Sequence, residues 1–186
     1  MNIICTVPIF SAAILSIQPL AVNATELNPR PVYSAEEVAW SRVEGVNAIV
    51  GVAMLGSGKK ATTCATEEVW LRPRSAWEDY RSEIIFGNLQ QARIPALQYF
   101  DRASTDNANM PASPKEYDAD ARKATCTADG KFTFAGVPDG EYYISVIVQP
   151  LEFVGKITPI HDIEVVMHYV SVTGGGSTIV DLFSEK

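Results

Sequence analysis

Few side chains in this 186-residue chain are of types that do chemistry, and their spacing narrows what they can do. His161 and His168 are seven apart, an odd interval that sends them to opposite faces of a strand containing both, so they make a poor metal pair. No Gly-x-Ser-x-Gly elbow, zinc-protease histidine pair or catalytic cysteine context occurs. Gly56-Ser57-Gly58-Lys59 lacks the spacing of a phosphate loop and reads as a turn. Asp129 and Asp139 sit in reversals that account for them. These observations predict no catalytic residue, no cofactor and no metal ligand. What remains is binding: Trp77, Tyr80, Tyr99 and Phe100 lie in one stretch and offer aromatic faces to a sugar ring or a peptide. The alternative for Trp77, Tyr80 and Ile84 is that they form one helical stripe covering a sheet face.

Charge and cysteine usage bound the setting. Residues 1–24 contain no Asp, Glu, Lys or Arg, and the apolar run 3–22 leads into Val22-Asn23-Ala24, a small-x-small cleavage site. We read a secretory signal peptide ending at Ala24; the alternative, an uncleaved anchor, is opposed by Pro8, Pro19 and the polar residues that interrupt the run. Cleavage leaves Cys64 and Cys126, an even number in an oxidising compartment, and these are expected to form a disulfide rather than two buried thiols. The formal net charge of −7 repels phosphate backbones and anionic lipid, which argues against a nucleic-acid partner. The expected setting is secreted or periplasmic with no membrane span after cleavage. The partner would be another envelope or extracellular protein, or a carbohydrate.

These side chains need a scaffold, and the pattern along the chain is mostly β. Residues 25–44 form an N-terminal extension in which Ser34-Ala35-Glu36-Glu37 is a capping box opening a short helix to about Ser41. A strand over 47–55 and another over 67–72 follow. From Pro73 the β pattern stops until Ala121. Within that span Ser75-Ala76-Trp77-Glu78 caps an amphipathic helix that ends at Gly87, with Trp77, Tyr80, Ile84 and Ile85 on one face and Glu78, Asp79 and Ser82 on the other. Residues 89–100 are helical or irregular, and 101–120 read as a loop. We take 73–121 as a helix and loop insertion in a sandwich spanning 45–186, and as the place where binding residues would sit. Late strands are expected over 163–170, with Ile163, Val165 and Met167 on one face, and over 178–183.

The most informative stretch is 124–148. Asp129-Gly130 supplies the positive-φ residues of a two-residue hairpin turn, Phe132 and Phe134 alternate with Lys131 and Thr133, and Val137-Pro138-Asp139-Gly140 makes a second reversal before Tyr142 and Tyr143. The pattern T-x-D-G-x-F-x-F-x-G-V-P-x-G-x-Y resembles the carboxypeptidase regulatory-like, or transthyretin-like, domain. That resemblance implies a mainly β, seven-stranded Greek-key sandwich serving as a non-catalytic accessory. In the family a corner carries the chain between the two sheets and a Tyr packs at the core edge, roles that would fall here to Gly136, Pro138, Gly140 and Tyr142 or Tyr143. Thr63-Cys64-Ala65-Thr66-Glu67-Glu68-Val69-Trp70-Leu71-Arg72-Pro73 is similar to the T-C-A-G-x-x-V-x-L-x-P strand of bacterial secreted members, with Thr66 where they carry Gly. The iron-binding His-x-His of the related intradiol dioxygenases is absent, as is the Tyr-Arg-Gly-Ser end of the transthyretin-related hydrolases. Asp181 stands where an isopeptide-forming sandwich would need Asn. The sequence therefore points to a structural or protein-binding module, with carbohydrate binding through 73–121 as the alternative.

Overall fold

The computed structural model of the chain describes residues 30–104, 109–110 and 112–183; the signal-peptide assignment, 1–24, lies outside them. The fold is mainly β. Ten strands form among the described residues: β1 (Asn47–Val52), β2 (Met54–Leu55), β3 (Thr62–Thr63), β4 (Glu68–Pro73), β5 (Gln91–Pro95), β6 (Arg122–Thr125), β7 (Lys131–Val137), β8 (Gly140–Pro150), β9 (Glu164–Val172) and β10 (Ser177–Asp181). Three α-helices accompany them: α1 (Ala76–Phe86), α2 (Ala96–Ala103) and α3 (Lys115–Ala119).

The strands divide into a three-stranded sheet, β10-β1-β7, and a seven-stranded one centred on β8. One edge of β8 carries β9 along most of its length, and β5 adds outside β9. The other edge carries β4 over residues 142–145 and the short β3 at Gln149 and Pro150, with β6 beyond β4 and β2 beyond β3. The core lies between the sheets. Val69 and Leu71 of β4, Ile144, Val146 and Val148 of β8 and Val166 and Val170 of β9 meet Ile49, Phe132, Phe134 and Val180. Period-two alternation sets which side chains enter: Phe132 and Phe134 are buried while Lys131 and Thr133 are exposed. Gly51 stands opposite Phe132, where a Cβ would come within 2.0 Å of the phenyl ring, so the strand must lack a side chain there for the ring to enter.

The Pro138–Asp139 corner passes the chain from the small sheet to the large one, since β7 pairs with β1 and β8 with β4 and β9. The buried Tyr142 hydroxyl donates to the Pro138 carbonyl at 3.0 Å, and Trp40 packs edge-on against the Tyr142 ring. Asn47, itself buried, donates to Val137 O and Asp139 Oδ1 and accepts from the Gly175 amide, while the Gly174 amide donates to Asp139 Oδ1. Asp139 thus joins this corner to the glycine-rich turn before β10, a role beyond shaping its own reversal.

Several local expectations need correction. The Asp129-Gly130 reversal forms, with Gly130 at φ 77°, yet β6 and β7 belong to different sheets, so it is an arch between layers and not a hairpin. The N-terminal element is a single 3-10 turn, Ala39–Arg42. Ser34 Oγ does accept from the Glu37 amide, but the Glu37 carboxylate accepts from the Ala76 amide at the start of α1 and does not return to its own helix. Residues 91–95 form a strand where helix or irregular chain was expected, because the edge of β9 has backbone groups to satisfy. On β9, Val165, Val166, Met167 and His168 are all buried: one face meets the core and the other lies under the helices.

Candidate binding groove

β4 and β6 are antiparallel neighbours, and the chain between them crosses the outer face of the large sheet before returning. Ser75 caps α1 by accepting from the Glu78 amide, and Gly87 ends the helix at φ 68°. α1 is fastened to the sheet at Asp79, which accepts from Arg74 and from the Tyr143 hydroxyl at 2.6 Å. α2 follows β5 and places Tyr99 and Phe100 over the sheet, Tyr99 lying between the rings of Phe86 and Phe100 at 5.9 and 5.5 Å.

The helices leave part of the sheet face open, and the result is a groove of about 420 Å³. Its floor comes from the non-core face of β4 and β8, where Glu68, Trp70 and Arg72 alternate with buried Val69 and Leu71, and Trp70 pairs with Ser145. Tyr99 and Phe100 form the wall, Phe100 half exposed. Lys123 Nζ sits 3.7 Å from the Trp70 ring centroid and reaches Glu68 at 3.3 Å. Glu67, at the far end, accepts from Gln149 Nε2, and burial pushes its pKa up.

Of the four aromatic residues singled out in the sequence, Tyr99 and Phe100 meet in this groove. Trp77 does not: it is buried against Tyr33, and its indole Nε1 has no hydrogen-bond partner among the described residues. Tyr80 is half-buried and donates to Asn109 O. The buried face of α1 is also not the expected stripe, since it presents Trp77, Glu78, Ser82 and Ile85 inward. Trp70 was missed, although a Trp on the polar-facing side of an alternating strand is a signal that sequence carries.

Glu78 turns inward because its partners are there. Beneath the groove, Arg72, Glu78, Arg81 and Tyr117 line an enclosed cavity of about 20 Å³. The Tyr117 hydroxyl donates to Glu78 Oε2 at 2.5 Å. Burial raises the Glu78 pKa, an effect that Arg72, Tyr117 and Arg81 oppose without cancelling. Burial, then Glu78, hold the Tyr117 phenol far above its ordinary value. Burial disfavours the Arg72 cation, but Tyr117 and Glu78 outweigh it and its pKa lies above the usual one.

His168 is buried and stands across from Ile144, whereas His161 is on the surface beside Asp162. No group of three or more His, Cys, Asp or Glu side chains suited to a metal ion occurs among the described residues. Cys64 and Cys126 form a disulfide with a Cα separation of 5.8 Å, tying the turn before β4 to the end of β6 behind the groove. No helix among the described residues is long and apolar enough to cross a membrane.

No family model and no curated protein matches the chain. Among solved structures, the fold is similar to that of a putative carbohydrate binding protein from Pseudomonas aeruginosa, with a TM-score of 0.56 and 24% sequence identity over 82% of this chain and 97% of that one. At this identity the likeness is one of fold.

Proposed function

We propose that the chain is an extracytoplasmic, non-catalytic binding module on a transthyretin-like Greek-key sandwich, and that its groove takes a carbohydrate. The observation that carries this reading is the convergence of Trp70, Tyr99 and Phe100 on one open groove beside Glu68, Arg72 and Ser145. Sugar rings have apolar C–H faces that stack on aromatic side chains and hydroxyl edges that exchange hydrogen bonds with charged and polar groups. The similar fold described as a putative carbohydrate binding protein supports the same ligand class. The cross-sheet corner at Pro138 and Tyr142 supports the transthyretin-like assignment, and the disulfide together with the apolar, uncharged leader supports export. Glu67 and Glu68 are engaged by Gln149 and Lys123, which suits acceptors of sugar hydroxyls better than a working acid and base. A glycan array probed with wild-type protein and Phe100→Ala tests the assignment. Discrete glycan signals lost in the folded variant are expected, and silence from wild type would defeat it.

A second reading, docking onto another envelope protein, is favoured by the outer face of the small sheet. There Val50 stands beside Ile179 in the parallel β1–β10 register, and Ile179 is 84% exposed. Ile179→Asp would abolish envelope cross-links and spare glycan binding under this reading; unchanged cross-links would dismiss it.

A further inference from the structure

We infer that the saccharide is acidic and that Arg72 recognises its carboxylate; this rests on the groove reading above. Arg72 lines both the groove and the enclosed cavity beneath it. Its guanidinium carbon is 4.5 Å from the Trp70 ring centroid and 5.0 Å from that of Tyr117, so two aromatic rings fix where the fork sits. Only 15% of the side chain is accessible. Yet its hydrogen bonding is incomplete: Nε is buried with no partner among the described residues, and Nη2 meets Asp118 Oδ1 only at 3.4 Å, on a carboxylate that is 67% exposed.

A guanidinium offers five N–H donors in a planar fork that matches a carboxylate through two parallel hydrogen bonds. The ion-pair partner of Arg72, Asp118, is loosely held and exposed, so the guanidinium charge is only partly met. Arg72 and Arg81 face one buried carboxylate, Glu78, which already accepts from Tyr117. At the rim, Glu68 is neutralised by Lys123 and Glu67 is held by Gln149. A sugar carboxylate entering over Trp70 can accept two parallel hydrogen bonds from the fork and carries the opposite charge, whereas a hydroxyl of a neutral sugar accepts without either advantage. Because the chain as a whole is acidic, this local cation decides whether an anionic glycan is admitted.

The test is calorimetric titration of the wild-type protein with a panel of uronate- and sialate-bearing oligosaccharides, each paired with the same oligomer after reduction of its carboxyl groups to alcohols. The acidic form is expected to bind about tenfold more tightly or better, with the preference shrinking as salt is raised. Equal affinity for the two forms would overturn the role of Arg72 and leave the groove reading intact. Binding of neither form would overturn both. In variants whose fold is verified by circular dichroism, Arg72→Gln is expected to lose the preference and Arg72→Lys to keep part of it. A preference undiminished in folded Arg72→Gln would contradict the assignment, and the wild-type comparison stands without either variant.

Discussion

The guanidinium of Arg72 lies over the ring of Trp70, two residues back on the same face of β4, at 4.5 Å from its centroid. With Lys123 3.7 Å from the same ring, the indole contacts two cations on the floor of the groove. Two tryptophans on neighbouring elements therefore have different jobs. Trp70→Ala is expected to abolish glycan binding at a stability cost of about 1 kcal/mol. Trp77→Ala, deep under α1, is expected to cost about 3–5 kcal/mol while its folded fraction still binds. Urea unfolding and glycan titration of both variants check this, and equal losses of binding would refute the division.

Thr66 is the one non-glycine residue with positive φ among those described, at 70°, and it stands where the resembled strand pattern carries Gly. The Glu67 amide donates to Cys64 O, closing a tight turn with Thr66 in its third position, where a β-branched side chain is strained. Thr66→Gly is expected to raise stability by about 0.5–1 kcal/mol, the relief of left-handed strain less the flexibility gained by the unfolded chain. A lower denaturation midpoint would contradict this.

The Cys64–Cys126 bridge closes a separation of 62 residues that includes all three α-helices. On the chain-entropy model its loss removes about 4 kcal/mol. Cys64→Ala with Cys126→Ala should therefore show a clearly lower urea midpoint than the oxidised protein, and an unchanged midpoint would mean that the cross-link does not restrain the unfolded state.

Burial raises the Glu78 pKa in the folded state above its unfolded value, so the folded protein keeps this proton longer. The stabilisation from the neutral acid is fully present below the ordinary glutamate pKa and is lost as pH rises through the folded value. Wild-type stability should fall more steeply with rising pH over that window than the stability of Glu78→Gln, which has no proton to lose. Parallel pH profiles would contradict the assignment.

Local chemistry made part of this fold legible and tertiary pairing hid the rest. Phe132 and Phe134 alternate with polar neighbours, Ser75 and Gly87 bound α1, and the prolyl corner at 138 marks a reversal; each is a property of a few adjacent residues. That Asp129-Gly130 joins two sheets was not legible, because a turn sequence does not say with which strands its arms will pair. β5 owes its existence to the open edge of β9, and nothing in Gln91-Ala92-Arg93 announces that. Glu78 looked like a solvent residue on α1 because its partners, Arg72 and Tyr117, come from β4 and α3, far away in the chain. The groove was half legible for the same reason: Tyr99 and Phe100 lie in the insertion, but Trp70 and Arg72 come from the strand it crosses.

The most direct test of a carbohydrate site between β4, β8 and α2 is a chemical-shift map of isotopically labelled protein titrated with a glycan selected on the array. Saturable shifts concentrated at the Trp70 indole, Ser145, Tyr99 and Phe100, with the small-sheet face around Val50 and Ile179 unmoved, are the expected result. Shifts confined to that opposite face, or none at saturating glycan, would contradict the account.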